Sequence, residues 1–231
     1  MRLSVDLFWP LALCVHLNMT AISRYISSLE EAYKNAAKPE RAIKQAAYMR
    51  DQFAFYGIMS TERKEILKPF LRKENRPPKE DLHMVVKTLW QKPEREYQYA
   101  AQELAAKYLS ASEKEDIELF EWMITNKSWW DTVDFIAANL VGNYFKQHSD
   151  QLATTNESWL NSGNIWLQRT TLIFQLKYKD QVDSDLLAQN IQVLNGTKDF
   201  FINKAIGWSL REYGKVNPDW VVDLVDKKDL S

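Results

Sequence analysis

Six consecutive residues, Trp129 to Asp134 in the stretch KSWWDTVD (127–134), hold two tryptophans and two carboxylates. If the stretch is helical, Trp130 and Asp134 stand one turn apart on one face, because residues i and i+4 are surface neighbours. An aromatic wall beside an anion suits a cation. Asp131 falls near the start of such a helix, where the helix dipole is enough to explain it. Asp134 lies further in, between Val133 and Phe135, where a carboxylate has less structural reason to be.

An internal repeat supplies the elements that position these residues. Aligning IWLQRTTLIFQLKYK (165–179) with FINKAIGWSLREYGK (201–215) at an offset of 35 puts Gln168 over Asn203, Arg169 over Lys204 and Tyr178 over Tyr213. Two further steps back place Asp134 under Arg169 and Tyr99 under Asp134. A unit of this length is a helix–turn–helix repeat. Stacked repeats align residues of equal register, so Tyr99, Asp134, Arg169 and Lys204 should form a row on the inner helices. Trp130 and Trp208 flank it one turn away.

The partner helices are SEKEDIELFEWMIT (112–125), with a Ser112/Glu115 capping box, and SDLLAQNIQVLN (184–195), with Ser184 as N-cap. Turns are marked by Asn161-Ser-Gly163 and Asn195-Gly-Thr197. Upstream, 27–37, 39–57, 60–73 and 80–90 continue the helical pattern, and Glu74-Asn-Arg-Pro-Pro78 is a loop between repeats. The expected fold is all-α, an α-solenoid of HEAT-like repeats with a concave basic groove.

Six glycines and seven prolines in 231 residues agree with a helical chain. With 30 basic and 31 acidic residues, no global positive field points to nucleic acid, although a repeat protein can segregate its charges by face. A lone cysteine, Cys14, excludes an intramolecular disulfide and a Cys-rich zinc site, and fits a reducing, cytoplasmic compartment. The three histidines lack a metal-ligand pattern, so neither metal nor cofactor is expected. The apolar run Leu7 to Val15 has the length and position of a signal-peptide core, but Asp6 precedes it, Pro10 interrupts it, only Arg2 flanks it with positive charge, and it is too short to span a bilayer. Residues 1–18 are read as a dispensable extension and 19–231 as one repeat domain with a shortened C-terminus.

Most of the nine tryptophans must serve the core, Trp90, Trp122, Trp129 and Trp220 among them. The plain structural reading of Asp134 is a salt bridge to Arg169. Arg169 and Lys204 could be solvated charges, but with Lys127, Arg211 and Lys215 they concentrate basic residues in the C-terminal repeats.

The segments 47–58 (AYMRDQFAFYGI), 93–101 (PEREYQYAA), 127–134, 164–179 and 200–215 together resemble the bacterial alkylpurine DNA glycosylases of the AlkD type. They fall in order across roughly residues 25–225. The resemblance implies hydrolysis of the N-glycosidic bond of cationic purines such as 7-methylguanine and 3-methyladenine in duplex DNA, by a monomer away from any membrane. It implies a site of Asp134, Trp130, Arg169 and Trp208. Asp134 would stabilise the oxocarbenium-like transition state, the tryptophans would hold the cationic nucleotide, and Arg169 would grip a phosphate. Lys127, Lys204 and Arg211 would assist on the DNA, and Tyr48 would contact it from the N-terminal side. Met59 departs from the polar residue that the resemblance leads one to expect. The competing expectation is a non-catalytic HEAT-like scaffold for DNA or a protein.

Overall fold

The computed structural model describes residues 9–228, with side chains from 20 to 226. Of the expected N-terminal extension, residues 1–8 lie outside the described residues, and the backbone of 9–18 opens α1 (Trp9–Ala36). Of the expected shortened C-terminus, 229–231 also lie outside them. Among the described residues the fold is all-helical, of the α-solenoid class, and the single backbone bridge joins Ala54 to Glu94. Contacts group the chain into two compact units, up to Lys107 and from Tyr108 onward.

The first unit contains α1, α2 (Pro39–Tyr48), α3 (Ser60–Leu67), α4 (Leu82–Gln91) and α5 (Arg95–Ala106). In α4, Leu82, Val85, Val86, Leu89 and Trp90 recur at helical spacing, and this buried stripe packs on α5. The helix expected over 39–57 stops at Tyr48. Arg50 and Asp51 both take φ of 56°, so the chain turns left-handed and returns in an irregular segment. Glu96 holds that segment: its carboxylate accepts the N–H groups of Tyr56, Gly57 and Ile58 at 3.1–3.2 Å. Burial pushes the Glu96 carboxyl above its usual range despite these bonds. At Gly57, φ is 85° and a Cβ would meet Lys38 O at 2.2 Å, so only glycine fits.

The second unit begins with α6 (Asp116–Thr125) and α7 (Trp130–Phe135), continued by a π-helical turn (Ile136–Val141) into α8 (Gly142–Gln147). It goes on through α9 (Leu152–Asn161), α10 (Ile165–Ile173), α11 (Ser184–Leu194), α12 (Phe200–Tyr213) and α13 (Pro218–Lys228). Helix α10 is central, packing on α6, α7, α9, α11 and α12. Around it Ile173, Ile191, Ile202 and Ala205 are closed from solvent.

The 35-residue period is visible as bonds between successive repeats. The Asn156 and Asn190 amides exchange hydrogen bonds at 2.9 Å, Lys146 donates to Gln181 at 3.1 Å, and the Tyr178 hydroxyl donates to Gly142 O at 2.6 Å. These partners are 34, 35 and 36 residues apart.

Two expected caps are displaced. Helix α6 starts at Asp116, not Ser112, because the Asp116 carboxylate takes the Glu113 N–H at 3.0 Å while 109–111 close a 3-10 turn. At α11 the cap is Asp183, which accepts the Leu186 N–H at 2.9 Å one residue before Ser184. At α11 a carboxylate thus replaces a hydroxyl as the acceptor facing the helix dipole, whereas the Asp116 carboxylate reaches back to the residue three before it. The turns at Gly163 and Gly196 stand where expected, with φ of 69° and 80°.

Candidate functional site

The chain breaks sharply before α7, and that break aims Asp134. Lys127 takes φ of 48°, the Ser128 hydroxyl donates back to Ile124 O at 2.6 Å, and Trp129 is extended at φ −159° as the N-cap. Trp130 then opens the helix, placing Asp134 one turn in and next to the π turn. A π turn widens a helix locally and is common beside functional residues.

Both Asp134 oxygens are engaged by α10. Arg169 Nε donates to Oδ1 at 2.7 Å and Nη2 to Oδ2 at 2.9 Å. Nη1 donates to Phe201 O on α12 at 2.5 Å, so one guanidinium ties three successive inner helices together. The Arg169 side chain is 5% exposed and that of Asp134 16%. Arg169, expected to grip a phosphate, is buried here, with each of its three nitrogens on a partner within the protein. Its geometry is that of a clamp on the carboxylate. Burial pushes the Asp134 carboxyl above its ordinary value, and the Arg169 pairing works against that rise. Bidentate pairing uses one lone pair on each oxygen and leaves the others for the cleft.

Asp134 lies in the wall of an open cleft of about 410 Å³, lined also by Phe135, Ala138, Asn139, Leu176, Lys177, Trp208 and Glu212. Trp208 is half-buried and packs against the core of the second unit while forming cleft wall. Glu212, one turn beyond it, is held below the usual carboxylate range by Lys215, with Trp208 adding to the effect.

Asp134, Arg169 and Trp208 are thus brought together. Trp130 is half-buried one turn before Asp134, outside the lining of this cleft. Trp129, expected in the core, is only half-buried: its ring lies 5.8 Å from Trp166 and 5.3 Å from Phe201, in an aromatic ladder along the repeats. Lys127 is half-exposed, while Arg211 and Lys204 are exposed, with the Lys204 ammonium 5.5 Å above the Phe200 ring. Tyr48 (72% exposed) and Tyr99, beneath the Arg63 guanidinium at 4.1 Å, belong to the first unit. Sequence reasoning missed Lys177 and Asn139. Lys177 stands 35 residues before Glu212, with which it shares the cleft.

The second unit is therefore a helical-repeat scaffold that presents a clamped carboxylate beside an indole wall. The chain belongs to the family described as DNA alkylation repair enzymes, whose model matches residues 29–230. It is similar to a solved structure, a predicted DNA alkylation repair enzyme from Enterococcus faecalis. The two are 38% identical over 84% of this chain and 91% of the other, with a TM-score of 0.79. No curated protein matches the chain. The family places it in the repair of alkylated DNA. Among the described residues no helix is long and apolar enough to cross a membrane.

Proposed function

We propose that the protein is a DNA glycosylase hydrolysing the N-glycosidic bond of cationic N-alkylated purines, 7-methylguanine and 3-methyladenine among them, in duplex DNA. The observation that carries this reading is the Asp134 carboxylate, fixed by Arg169 and facing a cleft walled by Trp208. Alkylation on a ring nitrogen already gives the base a positive charge, so it departs as a neutral purine with the bonding electron pair. No strong general acid is needed. The positive charge moves to the deoxyribose, and a carboxylate held in place before the reaction begins can stabilise it there. Water then adds to the sugar carbon and loses its proton.

Trp208 and Trp130 would hold the cationic nucleotide through their ring faces, each worth about 0.5–2 kcal/mol. Arg169 supports the reaction by orienting Asp134. Backbone contact falls to the half-exposed Lys127 and the exposed Lys204 and Arg211 of the second unit, and Tyr48 of the first unit is a further DNA contact. On this reading the enzyme works as a cytoplasmic monomer.

The test is incubation of the protein with methylated duplex DNA and chromatography of the released small molecules. Intact 7-methylguanine and 3-methyladenine in the soluble fraction are the expected products. Loss of the methyl groups without free base would mean reversal of the damage in place, and no change in the DNA would favour a non-catalytic scaffold.

A further inference from the structure

The cleft requires a cation for its polyanionic substrate, and Arg169 is committed to Asp134 and the Phe201 carbonyl. Lys177 is the lysine that lines this cleft. It follows the end of α10, is exposed, and its ammonium donates to Asn139 Oδ1 on the π turn at 2.5 Å. An amide oxygen orients an ammonium without neutralising it, and two donor hydrogens remain. Lys215, on the neighbouring α12 side, is instead paired with Glu212 at 2.7 Å.

Lys177 also stands on the divide between two hollows. Beyond it lies a second cavity of about 520 Å³, walled by Leu172, Leu176, Val182 and Tyr213, with Lys179 and Lys215 at its polar edge. Leu176, Lys177 and Glu212 line both. A strand whose sugar faces Asp134 must carry its next phosphate away from that carboxylate. The divide offers a cation there in Lys177, with Glu212 on the same divide held by Lys215 and with Lys179 at the edge of the second cavity.

We propose that Lys177, oriented by Asn139, binds the phosphodiester immediately flanking the damaged nucleotide and so positions its sugar against Asp134. The inference rests on the glycosylase reading above. Lys177 is a positioning residue: it touches the backbone and not the reacting bond. The π turn gains a purpose, since it brings Asn139 to the same cleft as Asp134, five residues earlier.

The experiment uses the full chain, with Lys177→Gln and Lys177→Arg, and duplexes carrying a single 7-methylguanine. Each of the two flanking phosphates is replaced in turn by an uncharged methylphosphonate. Affinity is measured across a salt series, and base release under single turnover. In Lys177→Gln the slope of log affinity against log salt should fall by about one, the value for one lost phosphate contact. Arg should restore it, because the charge and the reach remain. One of the two methylphosphonates should weaken the natural protein yet leave Lys177→Gln unchanged. An unaltered salt slope, or additive effects at both positions in a protein that still releases base, overturns the inference and leaves the glycosylase reading standing. A natural protein that neither binds these duplexes nor releases base overturns both.

Discussion

Replacing Arg169 with leucine tests whether the clamp is what makes a buried carboxylate tolerable at Asp134. The substitution leaves a carboxylate only 16% exposed without its partner and strips a donor from Phe201 O. Breaking a buried pair from one side costs about 3–5 kcal/mol, because an uncompensated charge stays behind. For a chain of this size each kcal/mol lowers Tm by roughly 2–4 °C, so the variant should melt about 6–20 °C below the natural protein. The pH dependence has a definite sign. Burial raises the Asp134 pKa in the folded state, so the native protein holds that proton more tightly than the unfolded chain does. The stability contributed by this group is complete below the unfolded pKa and is lost as pH rises through the folded one. Without Arg169 to oppose it, the folded pKa climbs further. The penalty of Arg169→Leu should therefore be largest at neutral pH and shrink as acid protonates the orphaned carboxyl. Denaturant titrations of both proteins, followed by circular dichroism from pH 8 to pH 5, measure this difference directly. A penalty below about 1 kcal/mol, or one that does not change with pH, would refute the clamp.

Trp208→Ala should slow base release from 7-methylguanine duplexes about two- to thirtyfold, the range of one cation–π contact, while Trp208→Phe retains most of the rate. Single-turnover kinetics on the two variants check this, and equal losses in both would deny the ring face its role. Gly142→Ala places a Cβ 2.5 Å from Phe174 O, where backbone cannot yield. Thermal melting should show a loss of more than about 1 kcal/mol, and a neutral result would mean that α8 can shift away from Phe174.

The repeat was legible because partners in neighbouring repeats stand about one period apart: Asp134 meets Arg169 35 residues on, and Asn156 meets Asn190 34 residues on. A 35-residue offset in sequence becomes a neighbour in space once helices stack. Helix ends were less legible. Ser112 and Ser184 are good caps in isolation, yet Asp183 captures the Leu186 N–H with a full charge, and Asp116 fixes the turn before α6 by taking the Glu113 N–H. The irregular segment after α2 is held at residues 56–58 by Glu96, 40 residues from Tyr56, which no local pattern reveals. Trp208 and Asp134 could be paired from register alone. The third nitrogen of Arg169 could not, because its partner is a backbone carbonyl, and backbone is silent in sequence. Lys177 escaped for a different reason: it follows the end of α10, where helical periodicity no longer assigns a face.

If the Asp134 carboxylate drives base release, the single-turnover rate of 7-methylguanine release must differ between the natural protein and Asp134→Asn, with DNA affinity and folding measured beside it well below the variant's melting temperature. Asparagine keeps the shape and one acceptor for Arg169 but removes the charge. The rate should be lower by more than about tenfold in a folded, DNA-binding variant. An unchanged rate in that variant would contradict this role of the carboxylate.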